Sequence, residues 1–566
     1  LAESTHPGLQ ALAERYWQIL RQEFPLGALL AGQPSDDPTM FREAPADFAR
    51  RAAQAEQMLG ELASIPRDAL SQQDGITHRL LERELNDLCE AHATGSHLRP
   101  WLLPAGPEFN TIYFANVSQI GTVQDAGRYA ARLASLPQYF ADVQGCLQQG
   151  ADGGMCHPQV VLIAAAANLR AAAGGAAEQS PWFGPFRRSP AAAVAGVASE
   201  AQRARELIAH GIQPALHALA DFIESELMPH ARETIACTEG PAGHAFYGFW
   251  VRHFTTCPDL TPQAVHQLGL EQVERLEREI AAVAAQAGFA GDVAGYRRLL
   301  RDEPSFYATT SDELLQRMQA LAKRIDGRIP SLIGHLPRAT YTVQSIPPAA
   351  AETLPLAYAQ PNPADGSAPG TFWVSSLPER VPSYLHVSLA LHEAWPGHLM
   401  HIALMQEMAT LPMFRRANFT KYTACLEGWA MYCEGLGHEL GLYETPHQHF
   451  GRLDMEMWRA CRLVVDTGIH LRGWRREQAV DYMAQRLTLT RQAIGAEVDR
   501  YIAMPAQALG YMLGGLKFRE LRQRAQQRLG ERFNLRAYHD QLMAAGAVTL
   551  PVLEELVDRW LDAHAA

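Results

Sequence analysis

The run His392-Glu393-Ala394-Trp395-Pro396-Gly397-His398 gathers two imidazoles and a carboxylate in one short segment. A further carboxylate, Glu427, follows 29 residues after His398 in the block Glu427-Gly428-Trp429-Ala430. Imidazole nitrogens and a carboxylate oxygen are what zinc takes in a hydrolytic site, where one coordination position stays open for water. On this reading His392, His398 and Glu427 are ligands for Zn2+. Glu393, beside the first histidine, is the base that takes a proton from water.

The spacing departs from the common His-Glu-x-x-His motif, in which two histidines four apart share a helix face. His392 and His398 are six apart, which on a straight helix leaves them about 120° from eclipsed. Pro396 lacks the N–H that would bond to the His392 carbonyl, and Gly397 accepts unusual dihedrals. A kink or π-type bulge at Pro396-Gly397 is therefore expected to bring His398 back beside His392. His401, one turn past His398, is the alternative second ligand. A chain with 22 histidines also holds chance pairs, so these seven residues alone leave a metal-free reading open.

Glu427 lies in the otherwise apolar stretch Cys425–Glu434, where a carboxylate is costly to bury unless it is paired or metal-bound. Glu434 falls on roughly the same helical face. It reads first as a solvated or paired glutamate, and second as a group supporting the ligands. Asp466 and His470 are four apart on one face. They form either a carboxylate-oriented histidine that hydrogen-bonds substrate or the tetrahedral intermediate, or a structural pair. Tyr511, in a small-residue helix, donates either to a developing oxyanion or within the core. No Gly-x-Ser-x-Gly elbow, Gly-Lys-Ser/Thr phosphate loop or dinucleotide fingerprint occurs.

The elements that must position these groups read mostly as helix. Apolar residues recur at helical spacing over 7–34 (Leu9, Leu12, Tyr16, Leu20) and 75–92 (Ile76, Leu80, Leu81, Leu85, Leu88). An Ala-rich tract covers 190–228. Thr261-Pro262 is a helix start running to Gly288, and another helix begins at Ser311-Asp312. Further helices are expected over 383–408, 417–442, 452–472, 476–489, 494–500, 505–529 and 535–563. Residues 171–190, with Pro181, Pro185 and Pro190, read as a surface connection. Residues 340–378 read as strands joined by Pro-rich loops, from the alternation in Thr340–Val343 and Thr371–Ser375. The second of these strands could form a sheet edge on which an extended peptide pairs. A boundary near residue 340 would divide a helical N-terminal lobe, 1–339, from a catalytic C-terminal lobe, 340–566.

Composition excludes several classes. The chain has 566 residues, 47% hydrophobic and 19% charged, with a formal charge of −12. No basic run argues for nucleic acid. The longest strongly apolar run, Val160–Ala167, is too short to span a bilayer. The eight cysteines form no Cys-x-x-Cys pair, which suits reduced thiols and a cytoplasmic setting. A periplasmic address follows instead if a signal peptide precedes Leu1. No motif specifies an oligomeric state.

Taken together, the blocks His392–His398, Glu427–Glu434, Arg459–His470 and Pro505–Gly514, with the tail Leu516–Trp560, resemble the bacterial family called domain of unknown function 885. That family in turn resembles, distantly, the glutamate-zincin peptidases. The resemblance implies a mainly α, large two-lobed helical zincin-like fold with a small β-sheet beside a deep active-site cleft. It implies His392, His398 and Glu427 as zinc ligands and Glu393 as catalytic base, while Tyr511 and His470 fall in family blocks. The expected activity is a zinc metallopeptidase acting on short peptides. The alternatives are a metal-dependent amidase on a small metabolite and a catalytically silent metal-containing binding protein.

Overall fold

A computed structural model of the chain describes residues 6–352, 354–417 and 419–565. Leu1, and residue 418 within the helix expected over 417–442, lie outside the described residues. The fold is mainly α. Contacts divide the chain into two compact units. One is Leu1–Phe249 with Pro412–Ala417 and Asp499–Pro505; the other is Trp250–Leu411, Asn418–Val498 and Ala506–Ala566. Residue 340 falls inside the second unit, one residue before its first strand.

In the first unit the helix Pro7–Glu23 buries Leu9, Leu12, Tyr16 and Leu20, as their spacing requires. The Tyr16 hydroxyl donates to buried Glu84 at 2.9 Å. Glu84 sits on the helix Gln72–Ala93, which buries Ile76, Leu80, Leu81 and Leu85 and leaves Leu88 half-buried. The tract over 190–228 forms the helices Ala195–Leu207 and Gln213–Phe222, with π-turns at Ile208–Ile212 and Ile223–Leu227.

The stretch 171–190 is not the plain surface connection its prolines suggest. Trp182, Phe183 and Phe186 are buried. The Trp182 indole N–H donates to Thr111 Oγ1 at 3.0 Å, and its carbonyl accepts from the Tyr129 hydroxyl at 2.6 Å. Apolar aromatic surface outweighs the local turn signal here, and Pro181 and Pro185 open short helical turns. Among the described residues no helix is long and apolar enough to cross a membrane.

In the second unit six helices position the candidate site. They are α1 (Pro262–Gln286), α2 (His386–Glu393), α3 (His398–Glu407), α4 (Thr423–Gly435), α5 (Pro446–Arg472) and α6 (Leu509–Leu529). The start of α1 follows from its sequence. Thr261 Oγ1 accepts from the Ala264 N–H at 3.2 Å, and Pro262 occupies the first turn. Helices α4 and α6 approach through glycine. A Cβ on Gly428 would lie 2.5 Å from the Gly514 backbone, and one on Gly514 would overlap the Ala424 carbonyl oxygen.

A sheet of three strands, β1 (Tyr341–Ser345), β2 (Ala357–Gln360) and β3 (Gly370–Val374), has the order β1-β3-β2. β1 runs parallel and β2 antiparallel to β3. This corrects the expected edge strand. β3 is interior, Phe372 is fully buried, and both hydrogen-bonding sides of β3 are already used. The edges are β1 and β2. The signal for β2 is short and lies between Pro355 and Pro361, so the neighbour that covers β3 is hard to see in sequence. Helix α2 packs against β2, and α3 against β2 and β3.

Candidate metal centre

The histidine-rich segment does not bend; it breaks. Helix α2 ends at Glu393, Ala394 leaves helical geometry (φ −89°, ψ −128°), and α3 restarts at His398. The expected kink or bulge is thus a complete turn between two helices. Gly397 takes φ −70° and ψ −135°. What excludes a side chain is space, because a Cβ there would overlap the carbonyl oxygens of His392 and Leu391. The missing N–H of Pro396 removes a helical bond, and the Pro396 carbonyl instead accepts from the Trp429 indole N–H on α4 at 2.8 Å.

The turn turns His398 back onto His392. Their ring centroids lie 4.8 Å apart with planes at 89°. Glu427 Oε2 lies 3.4 Å from His392 Nε2 and 3.3 Å from His398 Nε2. The three residues present donor atoms all within 4.8 Å of one another. The two Glu427 separations fit one ion: ligands at about 2.0–2.1 Å in a tetrahedral site sit about 3.3 Å apart. Glu427 Oε2 supplies a second test. It is buried and has no hydrogen-bond partner among the described residues, despite two imidazoles in contact. A lone pair aimed at a shared centre, rather than at either N–H, accounts for this.

Glu434, one further turn pair along α4, holds the first histidine. Its Oε1 lies 2.8 Å from His392 Nδ1 and 3.2 Å from Arg459 Nη2. With Nδ1–H donating to Glu434, the Nε2 lone pair is left facing the cluster. The Tyr443 hydroxyl donates to the Glu434 carbonyl at 2.7 Å and lies 3.1 Å from Ser388 Oγ on α2. Glu434 is therefore paired, and paired with a candidate ligand. Its position seven residues after Glu427 was the available signal.

The electrostatics favour a cation. Three carboxylates, Glu393, Glu427 and Glu434, surround two imidazoles, with Arg459 nearby. Burial pushes the Glu393 carboxyl up, opposed by His392 and His398, while Glu427 adds to the rise. Burial also works against charge on Glu427, but His398 and His392 outweigh it and hold that carboxyl well below the usual range. Burial alone would lower His392; contacts with Glu427 and Glu434 instead raise it to about 9. A divalent ion in place of that proton would satisfy the same carboxylates.

The other expected residues are placed separately. His401 is 1% exposed, and neither ring nitrogen has a hydrogen-bond partner among the described residues. It faces Trp429 at 6.1 Å, burial pushes it down to about 3, and it is not part of the donor cluster. His470 is fully buried near the end of α5 and is likewise outside the cluster. Asp466 Oδ2 accepts from the Ala506 N–H at 2.9 Å, where Ala506 has a positive φ of 67°. Tyr511 lies half-buried in the first turn of α6, with the Arg462 guanidinium 4.3 Å from its ring centroid. The adjacent Gly510 packs on Thr423 and Ala424 of α4, so Tyr511 belongs to the turn of α6 that meets the helix carrying Glu427.

A bacterial family of unknown function, DUF885, matches residues 25–557, and the chain belongs to it. The fold is shared with two solved structures. One is a putative lipoprotein from Colwellia psychrerythraea, with 28% identity and a TM-score of 0.90, covering 98% of this chain and 99% of that one. The other is a putative lipoprotein of unknown function from Shewanella oneidensis, with 17% identity and a TM-score of 0.71, covering 98% and 100%. No curated protein matches the chain.

Proposed function

We propose that the protein is a zinc-dependent metallopeptidase that hydrolyses short peptides. The observation that carries this reading is the convergence of His392, His398 and Glu427 directly beside Glu393. Three protein ligands leave a coordination position open, as hydrolytic zinc sites require and closed structural sites do not. Zinc held there would polarise a scissile carbonyl and lower the pKa of water to about 7.

The rest of the chemistry falls to the chain's own groups. Glu393 takes a proton from water at a carboxylate oxygen and returns it to the leaving amine. Its raised carboxyl pKa suits a group that must both accept and release that proton. Glu434 fixes the tautomer of His392, and Arg459 holds Glu434 in place. Tyr511, half-buried in the first turn of α6, is the donor assigned to the developing oxyanion. The lipoprotein descriptions of the two structural neighbours favour a periplasmic or secreted setting over the cytoplasmic one that the cysteines suggested.

The test pairs elemental analysis of the purified protein with a digest of a short-peptide library. The reading requires about one zinc per chain and chelator-sensitive cleavage. A zinc-loaded protein that cuts no peptide but releases amines from acylated small molecules would replace it with an amidase.

A further inference from the structure

The second unit holds a cavity of about 320 Å³ between α1, α4, α5 and α6. Four guanidinium groups line it, those of Arg275, Arg452, Arg519 and Arg522, against two carboxylates, Glu279 and Glu456. Glu439 pairs with Arg522 from outside the lining, and one positive charge still remains in excess.

Glu456 is the hub of this arrangement. It is 2% exposed, and three arginines converge on it: Arg275 Nη2 at 2.5 Å, Arg519 Nη1 at 2.5 Å and Arg452 Nη1 at 2.7 Å. One carboxylate cannot neutralise three cations, nor can it accept from all their N–H groups. Arg519 Nη2 and Arg452 Nε are buried and have no hydrogen-bond partner among the described residues. His449 is pushed down to about 4, by burial first and then by Arg452 and His438, and His438 itself lines the cavity.

We infer that this cavity is a binding site for a small organic oxyanion, a carboxylate or phosphate ester, neutralised by the arginine cluster that lines it. Guanidinium forks match the oxygen geometry of both groups. The amides of Gln523 and Gln526 on the same wall offer further donors. The volume lies at the low end of the roughly 300–1,000 Å³ typical of small-ligand pockets, enough for more than a bare ion. None of these groups belongs to the metal cluster, so the inference stands whatever the reaction there.

The experiment is calorimetric titration of the full-length protein with inorganic phosphate and, separately, succinate at matched ionic strength. Saturable binding is expected for at least one of them, with a Kd below about 1 mM. The tighter of the two tells whether the natural ligand carries phosphate or carboxylate. Arg519→Gln should weaken binding at least about tenfold, because a charge-assisted donor is lost. Glu456 keeps two arginine partners in that variant, so its melting temperature without anion should match wild type. Gln523→Glu provides an independent variant that puts a negative charge on the wall and should also weaken binding about tenfold or more. No saturable binding of either anion up to about 20 mM, or unchanged affinity in both variants, overturns the inference.

Discussion

Glu434 Oε1 stands 2.8 Å from His392 Nδ1 and draws that imidazole into a fixed orientation from behind. The first candidate ligand is thus set by a residue on α4, the helix that also supplies Glu427. Glu434→Ala should therefore weaken zinc affinity by about 10–100-fold, the usual effect of losing a group behind a ligand. Competition with a chelator of known affinity measures it. Glu434→Gln, which can still accept from Nδ1–H, should lose less. Equal affinities in both variants and wild type would show that the contact does not tune the ligand.

Glu393 and His392 are adjacent in sequence but should fail differently. Glu393→Gln should lower turnover by at least about 100-fold, as expected for loss of a general base, while zinc content stays near wild type. His392→Ala should lose both. Near-native turnover by Glu393→Gln would remove the base assignment.

His398 and His401 lie one turn apart on α3, and only His398 reaches Glu427. His398→Ala should release the metal. His401→Leu should keep it, and should leave folding stability close to wild type or higher, because a buried imidazole without partners is replaced by a hydrocarbon. Metal loss in the His401 variant would reverse the assignment.

Gly397→Ala tests the turn itself. The added methyl would overlap two carbonyl oxygens at the end of α2. It should cost about 3 kcal/mol or more in urea unfolding, in the range of severe steric substitutions. It should also displace His398 and lower zinc affinity. Wild-type stability would show that the turn relaxes freely.

Stability should fall in mild acid through buried neutral histidines. Burial pushes His539 down to about 3, with its Nδ1 on the Leu332 carbonyl and its Nε2 2.7 Å from the Tyr432 hydroxyl. A histidine depressed in the folded state is protonated first in the unfolded chain, near pH 6.5. Its contribution is whole above that pH and declines as pH falls towards 3. Glu108, which burial raises to about 7, acts with the opposite sign, so the measurement is a difference. The stability advantage of wild type over His539→Gln should shrink by about 1.4 kcal/mol per pH unit between pH 5.5 and 4.5. A constant difference would show that His539 titrates normally in the fold.

Much of this molecule is legible from local pattern. The stripe Leu9, Leu12, Tyr16, Leu20 and the Thr261-Pro262 start are written into consecutive residues, and both appear as expected. The donor set is legible because His392, His398 and Glu427 are polar residues in apolar surroundings. Other features depend on partners distant in the chain. Nothing near Thr371–Ser375 says that β1 and β2 close over both of its sides. The burial of Trp182 depends on Thr111 and Tyr129, 71 and 53 residues away. The role of Glu434 was visible only as a helical phase, and its partner lies 42 residues upstream. The reason for Gly397 is local, crowding by the carbonyls of His392 and Leu391 five and six residues back, and it shows only once the chain has turned there.

The indole of Trp429 bolts the Pro396 carbonyl to α4 at 2.8 Å. The imidazole-bearing turn and the carboxylate-bearing helix are thereby joined by a bond that needs no ion. Small zinc modules collapse when stripped. Here a chelator should yield an intact, reloadable scaffold, ready to accept whichever divalent ion its compartment provides.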